Sequence, residues 1–416
     1  MPLRAGARSS VAIGNETPGS ALQEGSPVEW LMTPGYARFR EIRLFGSLDG
    51  LRALSIIGVI WFHSWWSTPY YSKLTTLPVL RQGEWGVHIF FAISGYLITT
   101  LLLRERRRSG TISIRDFYIR RSLRIWPLYY ATIAVYVVIM LFFDRDAGRA
   151  RTFFHYLPGF LTYTYTWCIT PNWPTGPFNL AWTLATEEQF YAFWPLVLRF
   201  FRGIWSSVIM IALIALRIAA GYGWTNRILP PGSLPARVVL SVAIPICLGV
   251  LLAQALDSER GFRWLFPILG SKWSAPAALA FLAICLIPVH PPMLTASVAT
   301  AALVGACVVR EDNGLAPILK LRPIAFIGVL SYGMYLFNSL SIHAVLLGLG
   351  RIGLIHPLFV FPCGAGLAAA AAFLSYRHFE TPFLELKKRF SNASPAPAAQ
   401  SSAGIAGPTT DLPVHP

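Results

Sequence analysis

Mostly apolar runs of bilayer-spanning length recur along this chain, and nothing else in it narrows the fold as much. A helix needs about 20 predominantly apolar residues to cross the hydrocarbon core. Such runs cover residues 48–66, 85–103, 125–143, 182–201, 204–222, 236–256, 273–289, 293–309, 324–347 and 358–376. Lipid offers the backbone no hydrogen bonds, so each run is expected to form a helix. The expected fold is therefore an all-α polytopic membrane protein with about ten transmembrane helices. A shorter run, 153–168, carries His155, Pro158 and Gly159 and reads equally as a span, a re-entrant segment or an interfacial one. The balance of 54% hydrophobic to 13% charged residues is too poor in charge to cover a soluble protein of this length.

The net charge of +16 would suggest nucleic acid in a soluble protein. Here the basic residues sit in short segments between apolar runs, as the positive-inside rule expects, so no nucleic-acid partner is expected and membrane lipids are. Residues 104–124 hold eight Arg against one Glu and one Asp and should face the cytoplasm. Two spans separate them from Arg38, Arg40 and Arg43, so both segments fall on one side. With ten spans, Arg199, Arg202, Arg260, Arg263, Arg310, Lys320, Arg322 and the Lys387, Lys388, Arg389 cluster all fall inside, and the uncharged 168–181 segment falls outside. Counting 153–168 as a span would reverse every later loop. The expected topology has both the N- and C-termini cytoplasmic.

Three regions follow. Residues 1–45 are polar and expected to be a disordered cytoplasmic N-terminus, without a signal-peptide apolar core, so that the first span serves as the insertion signal. Residues 46–386 form the membrane domain. Residues 387–416 end in a Pro/Ala/Ser-rich stretch and are expected to be a disordered cytoplasmic tail. The five cysteines fit no metal motif, and no metal site is expected.

Ionisable residues inside spans are costly and mark function by default. The first span holds Asp49, Arg52 and His63. At about 100° per residue, Arg52 and His63 share one helix face, separated by about 16 Å of rise. Arg52 falls near the inner side and His63 toward the outer third. The adjacent Glu187 and Glu188 point to different faces of their span, and at least one should face the protein interior. His63, His88, Glu187 and Asn338 fall at similar depth, which suggests a shared polar cavity. A His beside a carboxylate suits general-base chemistry. Arg121 and Arg124 share a helix face and could hold phosphates of a cytoplasmic donor. Each has a plainer reading. Asp49 and Arg52 could be an interfacial ion pair, His63 a helix-interface hydrogen-bonder, and the Arg run a topology signal touching lipid headgroups. His88 reads as structural.

Several strings resemble the membrane-bound acyltransferase-3 family. LDGLRALSIIGVIWFH resembles its first-span signature, an Arg, ten residues and a His, here Arg52 to His63. GVHIFFAISGYLITTLLLRE is similar to its second span, with Ser94, Gly95 and Glu105. FYIRRSLRIWPLYY resembles the Arg-rich entry to its third, with Arg121 and Arg124 in the RxxR positions. WTLATEEQFYAFWPL, SYGMYLFN and HFETPF resemble later elements, in order, so that the match runs from residue 46 to about 386. One departure matters. The SYxxYLxx motif usually ends in His, and here it ends in Asn338, an amide that cannot take a proton at neutral pH. That position is read as structural or acceptor-orienting.

The resemblance implies an acyl-CoA-dependent O-acyltransferase in the bacterial cytoplasmic (inner) membrane. No permanently bound cofactor is expected, and acyl-CoA, acetyl-CoA above all, is the donor substrate. The acceptor would be a hydroxyl of a surface polysaccharide, lipid-linked sugar or secondary metabolite such as a macrolide. His63 is the implied catalytic base, with Glu187 supporting it and Arg52 beside it. Arg121, Arg124, Asp49, Glu188, Asn338, Tyr332 and Tyr335 are the implied substrate-binding residues. Some relatives carry a C-terminal SGNH-type esterase-like domain without counterpart here. Either this chain completes the transfer alone or a separate partner protein does. The alternative reading is a transporter or flippase-like protein. Transporters often show internal repeats, and none is visible here.

Overall fold

A computed structural model describes residues 29–42, 45–71, 78–169 and 176–390. The chain divides into two compact units, Met1–Arg43 and Leu44–Pro416. In the first, the described element is helix α1 (Glu29–Glu41). The rest of the polar N-terminal stretch (residues 1–28), residues 391–416 of the tail and residues 170–175 of the uncharged segment lie outside the described residues.

The second unit opens with α2 (Gly46–Trp66), a short α3 (Pro78–Arg81), α4 (Trp85–Ser109) and α5 (Ile114–Val138). Helix α4 stops at Gly110, whose φ of 73° is the left-handed backbone that ends helices and that a Cβ would strain. Helix α5 begins at a Ser113 cap, whose Oγ accepts from the Asp116 N–H and donates to the Asp116 carboxylate. These two boundaries turn the Arg-rich stretch into a corner between helices. Glu105 closes it by accepting from the Ser113 N–H at 2.8 Å and from Arg120 at 2.9 Å.

A π-helical turn at Ile139–Phe143 extends α5. Then come α6 (Ala147–Leu161), α7 (Tyr165–Cys168), α8 (Ala181–Phe200), α9 (Ile204–Gly221), α10 (Leu234–Leu240) and α11 (Ile244–Asp257). They are followed by α12 (Glu259–Leu269), α13 (Ser274–Cys285), α14 (Met293–Val309), α15 (Ala316–Leu319), α16 (Arg322–Gly350) and α17 (Pro357–Ser375). A second π-helical turn at Tyr376–Glu380 leads into α18 (Thr381–Lys388). Among the described residues there is no strand.

Among the described residues, five helices are long and apolar enough to cross a membrane: α4, α5 with its π-helical turn, α9, α16, and α17 running through to the end of α18. Counting each of three bent helix pairs as one span gives eight. Helices α10 and α11 form one such pair, bent by 51°, and α12 and α13 another, bent by 74°. The all-α, multi-pass character of the chain is clear, with fewer qualifying spans than the ten apolar runs. Helix α14 is apolar but shorter. Helix α8, with Glu187 and Glu188 mid-helix, and α6, which covers most of the 153–168 run, are not among the five.

Helix α4 is central and α9 peripheral: 61% of the apolar window of α4 is buried, against 11% of that of α9. Close backbone approach fixes the centre. A Cβ on Gly95 of α4 would strike the Ile246 carbonyl of α11, and one on Gly249 of α11 would strike the Ala92 carbonyl of α4. Gly328 likewise lets α16 lie directly on the α2 backbone at Asp49. Such small-residue contacts let helices pack tightly where no water drives association. Phe200, Ile211, Ile284, Leu347 and Leu374 are each more than half exposed, a surface suited to hydrocarbon.

Candidate active site

Five helices converge on one cavity of about 110 Å³. Arg52 enters from α2, Ser94 from α4, Arg121 and Arg124 from α5, and Glu187 and Tyr191 from α8, while Tyr332 and Tyr335 of α16 complete the wall. Six of the residues singled out from sequence thus line one small space: Arg52, Arg121, Arg124, Glu187, Tyr332 and Tyr335.

Local packing holds these side chains. Arg52 pairs with Asp49 at 2.9 Å, one turn earlier on α2. Asp49 therefore reaches the site through Arg52 and is not itself on the cavity wall. The Ser94 hydroxyl donates to Glu187 Oε1 at 2.7 Å. The Arg121 guanidinium lies over the Tyr191 ring at 5.4 Å and the Phe117 ring at 5.9 Å, a stacking that fixes its plane. The Tyr332 hydroxyl donates to the Ile125 carbonyl at 2.6 Å, and the Tyr335 and Thr183 hydroxyls meet at 2.7 Å. Arg120 takes no part in this cavity. It bonds Glu105 and the Phe390 carbonyl, so the three arginines of that turn divide into one clasp and two cavity groups.

Glu188 turns the other way, as the helical twist requires. It accepts from Trp126 Nε1 at 3.2 Å and lines a separate cavity of about 580 Å³ beside Tyr163 and Gln189.

His63 stands apart from the arginine cavity. Its Nδ1 lies 2.8 Å from Asn338 Oδ1. The Asn338 amide nitrogen donates to the Tyr335 carbonyl, which can only accept, and that sets which end of the amide faces the imidazole. Oδ1 can only accept, so His63 Nδ1 carries the proton and Nε2 carries the free lone pair. The sequence reading set Glu187 in support of His63. The hydrogen bonds run otherwise: Glu187 to Ser94, and His63 to Asn338.

Chemically, three guanidinium groups and one carboxylate, Glu187, line a small space, and Asp49 pairs with Arg52 from outside it. That excess of fixed positive charge suits a phosphate-bearing ligand. Among the described residues, no three His, Cys, Asp or Glu side chains cluster as a metal site would need.

Residues 45–377 match the family described as an acyltransferase domain. The chain belongs to the acyltransferase-3 family. Among its relatives is the peptidoglycan O-acetyltransferase OatA of Listeria monocytogenes, 29% identical over 70% of this chain and 48% of the relative. YrhL of Bacillus subtilis, provisionally named a peptidoglycan O-acetyltransferase, is 30% identical over 73% of this chain and 49% of its own length. A Staphylococcus aureus (strain COL) protein, provisionally named an O-acetyltransferase, is 27% identical over 84% of this chain and 59% of its own. The chain spans about half the length of these relatives. No solved structure matches it.

Among the cavity residues that the sequence reading did not make site candidates are Tyr191 and Thr183. Both carry a readable signal, because they lie four residues either side of Glu187 and so share its helix face. Ser94 stood in a family motif without an assigned role, and its bond to Glu187 gives it one.

Proposed function

We propose that this chain is a membrane O-acyltransferase that takes its acyl group, acetyl above all, from acyl-CoA and delivers it to a glycan hydroxyl. The observation that carries the reading is the cavity in which Arg52, Arg121 and Arg124 meet Glu187, in a chain of a known acyltransferase family. Acyl-CoA enters from the cytoplasmic side with its phosphates on Arg121 and Arg124. Arg52 and His63 are separated along α2 by about 16 Å of rise, a gap that an extended pantetheine arm can bridge.

At the outer end His63 Nε2 takes the proton of the acceptor hydroxyl. The oxygen attacks the thioester carbonyl, the C–O bond forms and the C–S bond breaks. The CoA thiolate leaves and receives the proton back from the imidazolium, so charge and atoms balance. Asn338 is a positioning residue that holds the imidazole in the tautomer this step needs. Glu187 offsets the cationic wall of the donor cavity. Names of relatives such as the Listeria peptidoglycan O-acetyltransferase favour a cell-wall or surface glycan as acceptor. A separate acceptor-side partner protein remains compatible with this scheme.

The protein sits in the bacterial cytoplasmic membrane. We place the Arg-rich 104–124 corner and both termini in the cytoplasm and count ten spans, with α8 and α14 crossing inside the bundle. Support comes from the positive-inside charge pattern and from the Glu-bearing α8, which can cross where neighbouring helices cover its polar face. Purified protein in detergent should hydrolyse or transfer labelled acetyl-CoA in a His63-dependent manner. Absence of any acetyl-CoA turnover by folded protein, with and without glycan acceptor, would overturn the reading.

A further inference from the structure

A second cationic cavity, of about 360 Å³, lies on the other side of Phe91 from the arginine cavity, and Phe91 lines both. It brings together His88 of α4, Arg217 of α9 and Arg237 of α10, three groups from three different elements. Arg217 and Arg237 lie outside the strings that carry the family resemblance, His88 lies within the second-span string, and none of the three belongs to the proposed transfer machinery.

Their nitrogen atoms are poorly satisfied. Arg217 Nε, Arg237 Nε and His88 Nδ1 are all shielded from solvent and have no hydrogen-bond partner among the described residues. Arg237 makes one long bond, from Nη1 to the Ile169 carbonyl at 3.5 Å, and Arg217 makes no hydrogen bond or ion pair that the described residues supply. In each guanidinium the Nε–H is thus a buried donor without a partner among the described residues. No Asp or Glu lines the cavity to balance them. Trp182, Phe91, Met293 and Leu240 supply apolar walls, which lower the local dielectric and strengthen the pull on a negative charge. The His88 ring is pinned by stacking on Trp85, with centroids 4.0 Å apart, so the third nitrogen is also fixed in place.

We propose that His88, Arg217 and Arg237 form an oxyanion-binding site that takes a carboxylate or phosphate group. Two guanidinium groups and an imidazole facing one pocket match the geometry of such a group, and unpaired donors in an apolar pocket are the mark of a site built for a ligand. The carboxylate of an acidic sugar and the phosphate of a lipid headgroup share this chemistry. The site stands whether or not acyl transfer is the reaction. Where it is, the shared Phe91 wall sets a bound anion beside the transfer cavity.

The test uses the full chain in detergent and in lipid nanodiscs. Saturation-transfer NMR compares glucuronate with glucose, which differ in the carboxylate. Native mass spectrometry compares retention of phosphatidylglycerol with that of diacylglycerol, which lacks the phosphate. Variants Arg217→Gln and Arg237→Gln, singly and together, are read beside His63→Gln. The expected result is preferential binding of at least one anionic probe by wild type, weakened about ten-fold by each Arg variant and unchanged in His63→Gln. Loss of glucuronate binding assigns the site to a carboxylate, and loss of phosphatidylglycerol alone assigns it to a headgroup phosphate. If the double variant does not purify as folded protein, the single variants carry the same test. Equal binding of charged and neutral probes, or anion binding indifferent to both Arg substitutions, would overturn the proposal. Because His63→Gln disables transfer and not this site, failure here is separable from failure of the acyltransferase reading.

Discussion

Asn338 holds His63 by a 2.8 Å hydrogen bond between the amide oxygen and Nδ1, and the Tyr335 carbonyl holds Asn338 in turn. The residue that departs from the family pattern is therefore the one that touches the imidazole. A protonatable side chain is replaced by an amide that fixes a tautomer.

Asn338→Ala should reduce kcat by roughly 2- to 10-fold, the worth of one ordinary hydrogen bond of about 0.5–1.5 kcal/mol. The donor KM should stay near wild type, because the loss falls on the orientation of the base and not on the donor cavity. A parallel rise in donor KM would mean a general collapse of the site. Complete loss of turnover with normal expression would mean that Asn338 does more than position.

Arg121→Ala and Arg124→Ala should raise the apparent acetyl-CoA KM while leaving membrane insertion intact. A charge-assisted contact to phosphate is worth about 1.5–3 kcal/mol, on the order of 10- to 150-fold. Arg120→Ala is the matched comparison. It breaks the clasp to Glu105 without touching the cavity, so it should lower stability with little effect on donor KM. Unchanged donor kinetics in Arg121→Ala and Arg124→Ala would reduce the Arg run to a topology signal.

Gly95→Ala should lower the melting temperature of the purified protein, by a loss of about 1–3 kcal/mol, because the new Cβ meets the Ile246 backbone, which cannot swing aside. Gly348→Ala, also helical but with open space around its Cβ position, should be neutral or slightly stabilising. A ranking in the opposite order would contradict the tight packing of α4 on α11.

Much of the site could be read from spacing alone. The one-turn step from Asp49 to Arg52 became an ion pair, and the divergence of Glu187 from Glu188 became two separate cavities. The RxxR step of Arg121 and Arg124 became one face of α5 on one wall. What periodicity could not reach were contacts between helices. Nothing in the α8 sequence says that Glu187 meets Ser94 of α4, or that Asn338, 275 residues away, meets His63. Span counting was blunt for a physical reason as well. The 236–256 run reads as one span, yet the helix breaks before Pro245, which starts α11 at a new angle. The 153–168 run divides at Tyr163, a non-glycine residue with φ 55°, into the short helices α6 and α7.

A cysteine introduced at Ser109, at the exposed end of α4, should react with a membrane-impermeant maleimide in inverted vesicles and not in intact cells. A cysteine in the C-terminal tail should behave in the same way. Labelling of either from outside intact cells would overturn the proposed orientation.

The central claim is that His63 Nε2 is the base of an acyl transfer, and the most direct test is acetyl transfer by purified His63→Gln protein. Glutamine keeps a hydrogen-bonding side chain for Asn338 but cannot take up the proton. The account predicts a folded, inserted protein with the α2–α16 contact intact and a rate lower by about 10²–10⁴-fold. Near-wild-type transfer at about pH 6 to 8, the range in which an imidazole base operates, would contradict it.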